Sequence, residues 1–574
     1  MLKRKLKYSS VLYLIVFCVK PVNAQVHKTS SETVVKNNIS EVWVADNGNG
    51  TYKNPIIHAD YSDPDVIRVG SDFYLTASSF NSVPGLPILH SKDLVNWQII
   101  GHVFDKQSPE ERYNTVQHGG GVWAPSIRFH NHEFYIFYPD PDIGIYMVKA
   151  KRPAGPWSVP LLIKKAKGWI DPCPFWDTDG KAYLVNGMAA SRSGIKSTLV
   201  LSRMKNDGTR LLDDGAMIFD GHDKNPTVEG PKIDKLNGYY YILAPAGGVG
   251  GGWELALRSK NIYGPYEEKV VLEQGKTVIN GPHQGGLVDT QTGEWWFLHF
   301  QDKDAYGRID HLEPVKWVKG WPLMGVDLDG NGIGEPVETY KKPNVGKTYP
   351  IQTVQGSDEF NDANLGLQWQ WEANPQNNWI FPAGAAYGNL RLYNVPHEGE
   401  LKNFWQVPNL LTQKFPAPSF SATTKLTFTP RGNDEETGLI ITGIDYAYIS
   451  IKKTPDGMVV SQSKYINAEG GGTETKSNEI QVQSSTIYFK VEVKNVDPAS
   501  PDHAIYNTAT ESKYGNAACS FSYSLDGIKF TKVGETFAAK KGKWIGAKVG
   551  IFAVRKGETY ETGYADFDWF RITK

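Results

Sequence analysis

The sequence predicts an all-β protein, in which a five-bladed β-propeller is followed by an antiparallel β-sandwich. A polar turn followed by an aromatic-rich strand occurs five times, starting at Ser71, Asn131, Asp179, Asn237 and Thr292. The starts are roughly 50 to 60 residues apart, the size of a four-stranded propeller blade with its loops. No long stretch has helical periodicity, and Gly and Pro separate the short apolar runs. An irregular all-β sandwich is the alternative for these repeats.

The chain is long enough for two domains, and the pattern of apolar and polar residues changes after the fifth repeat. Its 574 residues are more than a single domain with one hydrophobic core usually contains. Residues 51–340 are predicted to form the propeller, and residues 341–355, which contain Lys, Pro and Gly, a linker. Residues 356–574 contain alternating strands, for example at 420–426, a pattern typical of two sheets packed as a sandwich.

The first 24 residues have the features of a secretory signal. Basic residues precede an apolar run at 11–19 that is too short to span a bilayer, and Val22-Asn23-Ala24 fits a cleavage site. We therefore expect residues 1–24 to be removed, residues 25–50 to form an N-terminal extension, and the protein to be periplasmic or secreted. Cys173 and Cys519 are expected to be buried free thiols, with a disulfide between them as the alternative.

The composition argues against nucleic-acid and membrane partners. The formal net charge is −1, so the chain has no basic field that would attract phosphates and no acidic tail. No segment after the signal is apolar enough to span a membrane. The 17 Trp and 29 Tyr residues suit sugar-binding surfaces, although a large β-protein also stores aromatic side chains in its core.

Three acidic residues precede recurring strand pairs at similar offsets. Asp63 stands in Tyr-Ser-Asp-Pro-Asp before the first repeat, Asp171 in Ile-Asp-Pro-Cys-Pro before the third, and Glu229 in Val-Glu-Gly-Pro before the fourth. Equivalent positions in successive blades point the same way relative to the propeller axis, so these side chains are expected to converge at one end of the channel. The alternative is that Asp-Pro and Glu-Gly-Pro only form turns.

A converging trio of carboxylates suits inverting cleavage of a glycosidic bond. That reaction needs a carboxylate base that activates water and a carboxylic acid that protonates the leaving oxygen, about 6.5–9.5 Å apart. A third carboxylate can keep the acid protonated near neutral pH, because like charges disfavour a second ionisation.

These motifs resemble those of glycoside hydrolase family 43, over nearly the whole chain after the signal. The resemblance rests on the segments at 61–65, 121–125, 170–172, 177–180, 228–231 and 281–285. It implies a five-bladed propeller and an inverting mechanism, with Asp63 as general base, Glu229 as general acid, and Asp171 in pKa tuning and orientation. The tail resembles the concanavalin-like jelly-roll sandwich of the xylosidase and arabinofuranosidase branches, which packs on the propeller and helps to wall the pocket.

The resemblance also implies residues that bind the terminal sugar. Phe80 and Trp123 match pocket positions, and Arg308 matches an arginine that binds sugar hydroxyls, for which a planar donor fork is suited. The alternatives are core positions for the aromatic residues and a surface position for the arginine. His283 matches a histidine that faces the propeller axis in relatives, where it often ligates calcium. A hydrogen-bonded structural histidine is the alternative, because calcium prefers oxygen ligands.

A second calcium pattern lies near the end of the propeller. Asp327, Asp329, Asn331 and Glu338 have the spacing of a calcium-binding loop. No helical pattern flanks them, and Pro336 lies within the segment. The sequence therefore predicts a Gly/Asp turn here rather than a metal site.

The favoured function is that of an exo-acting α-L-arabinofuranosidase, which releases terminal arabinose from side chains of plant hemicellulose or pectin. β-Xylosidase activity on xylo-oligosaccharides is the alternative, and a non-catalytic carbohydrate-binding propeller is an alternative of another class. The preference for arabinose rests on the likeness of segments 61–65 and 281–285 to a branch that contains arabinofuranosidases. No cofactor is expected for the chemistry, a calcium ion in the channel would be structural, and the expected partner is a plant cell-wall oligosaccharide or polysaccharide.

Overall fold

The computed structural model describes residues 39–382, 388–396, 403–496, 517–557 and 559–574. The predicted signal, residues 1–24, and the first part of the predicted extension lie outside the described residues. Strands dominate, and the helices within the described ranges are short turns at Glu110–Tyr113, Ala190–Ser193, Asp304–Tyr306 and Phe404–Gln406. None of these helices is long and apolar enough to cross a membrane.

Five antiparallel sheets follow one another along the chain and form the blades of a propeller. Each of the first four blades consists of four consecutive strands, because each polar turn returns the chain to the sheet that it has just left. Their strands are, in chain order, Asp65–Val69, Asp72–Thr76, Gly85–Ser91 and Trp97–Phe104 in blade 1; Ser126–His130, Glu133–Asp140, Gly144–Ala150 and Leu161–Lys165 in blade 2; Trp169–Trp176, Ala182–Met188, Thr198–Met204 and Ala216–Asp220 in blade 3; and Lys232–Leu236, Tyr239–Ala246, Trp253–Ser259 and Glu267–Glu273 in blade 4.

The fifth blade closes the ring, because one of its strands comes from the start of the domain. The strand Ile57–Asp60, here called the ring-closing strand, pairs with Arg308–Val318, and Asp60 lies opposite Ile309. Pairing of the first strand with the last blade holds the ring shut without a covalent link. The other strands of this blade are His283–Asp289, Trp295–Asp302 and Trp321–Met324, and a separate pair joins Thr51–Lys53 to Thr339–Lys341.

Two eight-stranded sheets form the sandwich. The strand Phe420–Thr429 alternates strictly between buried and half-buried positions, as a sheet with one core-facing side requires. In spatial order, one sheet contains Gln370–Trp371, Leu411–Lys414, Lys548–Val554, Glu436–Thr442, Tyr446–Thr454, Gly457–Tyr465 and Glu474–Lys476, with Ile480–Val482 beside the sixth. The other contains Ile380–Pro382, Leu390–Tyr393, Tyr564–Thr573, Phe420–Thr429, Thr486–Asn495, Ala517–Ser524 and Thr531–Lys532, with Phe537–Ala539 beside the sixth.

The propeller and the sandwich share one apolar core. Val83, Ala305, Tyr306 and Ile309 of the propeller pack into the sandwich core. Val83 and Trp371 also exchange backbone hydrogen bonds across the junction, at 3.1 and 2.6 Å. The predicted fold class, a five-bladed propeller followed by a concanavalin-like sandwich, is confirmed.

The structure also decides two smaller predictions. Cys173 and Cys519 are both buried and free. The Asp327 carboxylate accepts the backbone N–H groups of Gly330 and Gly332, at 2.8 and 3.0 Å, so the segment forms the predicted Gly/Asp turn. Within the described ranges, no group of three or more His, Cys, Asp or Glu side chains is arranged to hold a metal ion.

Candidate active site

The three predicted carboxylates lie around the propeller axis, where the first strands of neighbouring blades contact one another. Asp63 stands in the turn between the ring-closing strand and blade 1, and Asp171 stands within the first strand of blade 3. Both have left-handed backbone, with φ of 54° and 56°, which Asp tolerates better than most residues. The pairing register shifts between Ile170 and Cys173, so a bulge re-aims the Asp171 side chain. Strained backbone of this kind is concentrated at functional sites.

Two partners fix the Asp63 carboxylate. Ser78 Oγ donates to its Oδ2, and Arg308 Nη1 donates to its Oδ1, both at 2.6 Å. Arg308 comes from the fifth blade and is 7% exposed. The ion pair therefore links the turn before the first blade to the last blade and is almost completely shielded from solvent. Because both oxygens are held, the carboxylate has one orientation, which a base that must activate a single water requires.

Asp171 and Glu229 form an interacting pair. The backbone N–H of Gly230 donates to Asp171 Oδ2 at 2.7 Å. Burial raises the pKa of Asp171 to about 7, and the negative charges of Glu229 and then Asp63 add to this rise. Asp171 therefore keeps its proton up to about neutral pH.

His283 orients Glu229. The ring Nε2 of His283 lies 3.0 Å from Glu229 Oε1. The histidine side chain is 1% exposed, whereas the glutamate side chain is 30% exposed. Glu229 is therefore the member of the carboxyl pair that reaches solvent, and a buried imidazole sets its direction.

A cavity of about 450 Å³ opens beside Arg308. This volume falls in the range of small-ligand pockets, roughly 300–1,000 Å³. Both domains line the cavity: the propeller supplies His118, Gly119, Arg192, Val249, Asp302, Gly307 and Arg308, and the sandwich supplies Lys541, Lys543, Trp544 and Ile545.

Two tryptophans face each other at this cavity. Trp123 of the propeller and Trp544 of the sandwich meet edge to face, with ring centres 5.8 Å apart. The Arg192 guanidinium lies 5.0 Å above the Trp123 ring. Trp544 is 47% exposed, so it presents an open aromatic face at the cavity. Tryptophan offers such a large, rigid and amphipathic surface for contact with a ligand.

Two family models match the chain. The model described as Glycosyl hydrolases family 43 matches residues 52–322, and the model described as Beta xylosidase C-terminal Concanavalin A-like domain matches residues 357–573. A protein of Formosa agariphila named Beta-xylosidase is 32% identical over 614 residues, which cover 99% of this chain and 97% of that one. The chain belongs to glycoside hydrolase family 43.

Two further relatives of this family 43 glycosidase are similar along most of their length. The Non-reducing end alpha-L-arabinofuranosidase BoGH43B of Bacteroides ovatus is 29% identical over 549 residues, 91% of this chain and 94% of that one. The crystal structure of the GH43 BlXynB protein from Bacillus licheniformis matches with a TM-score of 0.73 and 26% identity. It covers 91% of this chain and 99% of that one.

Phe80 is buried near Ser78, the residue that hydrogen-bonds Asp63 in the family 43 site. It is 2% exposed, and it lines a narrow cavity together with Ser78, Ser79 and Ile545. Its backbone is left-handed, with φ of 50°, and it is paired with Val122. Phe80 therefore supports the wall next to the base, and its contact with a sugar stays a prediction.

Within the described residues, His283 is not part of a group of three or more His, Cys, Asp or Glu side chains that could hold a calcium ion. Calcium in proteins is bound by roughly 6–8 oxygen ligands. His283 instead offers a ring nitrogen, Nε2, which already contacts Glu229 Oε1 at 3.0 Å. The hydrogen-bonded structural histidine, which the sequence analysis left as the alternative, matches this geometry. No step of the chemistry is therefore assigned to a metal at His283.

The sandwich was predicted to help wall the pocket, but the residues that do so could not be named from the sequence. Trp544 stands in Gly-Lys-Trp-Ile-Gly, residues 542–546, directly before a core strand. The sequence signal for this residue is a tryptophan in a loop between two glycines. Glycines let the loop backbone come close to a neighbouring chain segment, and a large aromatic ring on such a loop is a candidate for ligand contact.

Proposed function

We propose that this glycosidase is an exo-acting, inverting β-xylosidase that releases terminal xylose from xylo-oligosaccharides of the plant cell wall. The observation that carries the proposal is the cavity of about 450 Å³ that Arg308, the ion-pair partner of Asp63, lines together with Trp544 of the sandwich. A pocket of this size suits the end of a sugar chain. An internal sugar would be costly there, because its linkages would leave buried polar groups unpaired.

The names of the relatives support xylose over arabinose. The relative at 32% identity is named a β-xylosidase, and the model that matches the C-terminal domain carries the same activity in its description. The relative named an arabinofuranosidase is 29% identical. Two short segments favoured arabinofuranosidase over β-xylosidase activity. The full-length similarities favour β-xylosidase instead. Arabinofuranosidase activity is the second candidate.

The contacts support one role for each carboxylate. Glu229, whose side chain is 30% exposed, protonates the leaving oxygen, and His283 directs it. Asp63, held by Ser78 and Arg308, takes the proton of a water that attacks the anomeric carbon from the opposite face, which inverts the configuration. Asp171, buried beside Glu229 and coupled to it by charge, tunes and orients the acid.

The ratio of activities on two aryl pentosides tests the sugar. We expect kcat/KM on 4-nitrophenyl β-D-xylopyranoside to exceed that on 4-nitrophenyl α-L-arabinofuranoside by about tenfold or more, since a misplaced hydroxyl leaves pocket groups unpaired. Xylobiose should give xylose as its only product, and Asp63→Asn, assayed in parallel, shows whether a contaminant contributes. A preference for the arabinofuranoside would make the second candidate the function.

The pH profile tests the role of Asp171. The pKa of Asp171 is raised to about 7 by burial and by the charge of Glu229, so Asp171 is protonated below that pH and loses its proton above it. Because the protonated form is the active one, kcat/KM should fall on the alkaline side of neutrality. Asp171→Asn removes the like charge, so the alkaline limb should move to lower pH. An unmoved limb in this variant would contradict the tuning role.

A further inference from the structure

Asp60 lies at the point where the ring of blades closes. It is the last residue of the ring-closing strand, opposite Ile309, and it stands three positions before Asp63. It is 4% exposed. The proposed reaction gives it no role, yet burial of a carboxylate is costly unless hydrogen bonds compensate it.

The carboxylate of Asp60 accepts hydrogen bonds from three different parts of the site. Ser62 Oγ donates to Oδ1 at 2.6 Å, and Ser62 belongs to the turn that carries Asp63. The backbone N–H of Arg308 donates to Oδ1 at 2.9 Å. The backbone N–H of Gly546, in the sandwich, donates to Oδ2 at 2.7 Å.

The sandwich loop that contains Trp544 approaches the propeller backbone closely at this point. A Cβ added to Gly546 would lie 2.6 Å from the backbone nitrogen of Gly307. The next residue, Ala547, donates its N–H to the carbonyl of Ala305 at 2.7 Å. The loop position is therefore set by backbone contacts, and Asp60 is the side chain that anchors them.

Other contacts hold the two domains together independently of Asp60. The backbone bonds between Val83 and Trp371 lie at the junction. Asn374 accepts the backbone N–H of Gln107 at 2.8 Å and donates to its carbonyl at 3.0 Å. Loss of one bond to Gly546 should therefore shift the loop without separating the domains.

We propose that Asp60 is a positioning residue that ties the sandwich loop bearing Trp544 to the Asp63–Arg308 pair. One buried carboxylate thereby aligns the rim of the pocket with the general base, and it does so without touching the sugar. The inference rests on the proposed glycosidase function, but it holds for either pentose.

Asp60→Asn is the first test. The single oxygen of Asn can still accept from Ser62 and Arg308, and its NH₂ group then meets the N–H of Gly546, donor against donor. We expect kcat/KM on the preferred aryl pentoside to fall by about 10- to 100-fold, since small misplacements in an active site cost this much. Gly546→Ala breaks the same contact from the sandwich side and should lower kcat/KM similarly.

A double-mutant cycle separates positioning from general stability. Trp544→Ala removes the ring that the loop carries, so Asp60→Asn should cost no more than about threefold in that background, because coupled residues are not additive. Asp93→Asn is the matched control. Asp93 is also a buried carboxylate that accepts backbone N–H groups, from Val95 and Asn96 at 3.1 and 2.8 Å. It should lower the Tm and leave kcat/KM within about twofold.

Two results would overturn the inference. In the first, the losses of kcat/KM from Asp60→Asn and Trp544→Ala multiply in the double variant. In the second, Asp60→Asn and Gly546→Ala both keep the kcat/KM of the wild-type enzyme. Either result with an active wild-type enzyme leaves the proposed function in place. A wild-type enzyme that cleaves no aryl pentoside overturns the proposed function and this inference with it.

Discussion

Asp63→Asn is expected to lower kcat/KM by about 10³- to 10⁴-fold on every glycoside, because an amide cannot take the proton of the attacking water. Aryl and natural substrates should lose activity equally, since both need the activated water. Asn keeps the size of Asp and an oxygen that accepts a hydrogen bond, so the fold should survive. Steady-state kinetics on 4-nitrophenyl β-D-xylopyranoside and on xylobiose measure the effect.

Asp214→Asn provides the control for this substitution. The Asp214 side chain is 99% exposed and forms a surface ion pair with Lys164, so kcat/KM and Tm should be unchanged within error. If Asp63→Asn retains more than a tenth of wild-type kcat/KM, Asp63 is not the base. A large drop in Tm for that variant would instead indicate that the Arg308 ion pair holds the ring together.

Glu229→Gln is expected to separate substrates by the quality of their leaving groups. Cleavage of xylobiose should fall by about 10³-fold or more, because the departing sugar oxygen needs a proton. A nitrophenolate leaves without full protonation, so kcat/KM on the aryl xyloside should fall by only about tenfold. Gln retains an oxygen that can accept from His283, so the geometry at this position is preserved.

The comparison between Asp63→Asn and Glu229→Gln is more informative than either variant alone. An acid and a base predict different ratios of aryl to natural activity. Equal losses on both substrates in both variants would mean that the two roles are wrongly assigned, even if both residues prove essential.

The fold was predictable because its signals are local and repeated. Each blade begins with a polar turn and an aromatic-rich strand, so five copies gave the number of blades. The carboxylates Asp63, Asp171 and Glu229 were predictable for the same reason, since equal offsets in a radial repeat place side chains around one axis.

Contacts distant in sequence were not predictable. Asp60 and Gly546 are hydrogen-bonded but 486 positions apart, and neither has a composition that marks it as part of a site. The sugar-binding role of Arg308 stays a prediction, but its ion pair with Asp63, at 2.6 Å, was not foreseen. No repeat or spacing rule encodes how one domain docks on another, so Trp544 emerged only from the structure.

The choice of sugar also lay beyond sequence motifs. Xylose and arabinofuranose present similar hydroxyl patterns, so the segments around Asp63 and His283 do not distinguish the two sugars. Discrimination depends on groups at the rim, which come from the sandwich and from the loops of several blades. Full-length similarity therefore carried more weight than the short motifs.

The anomeric configuration of the first product tests the central claim most directly. Proton NMR of 4-nitrophenyl β-D-xylopyranoside hydrolysis should show α-xylose before mutarotation produces the β-anomer, and added methanol should give no methyl xyloside. Both results follow if Asp63 activates water and no glycosyl-enzyme forms. Initial release of β-xylose, or transfer to methanol, would make Asp63 a nucleophile and contradict the account.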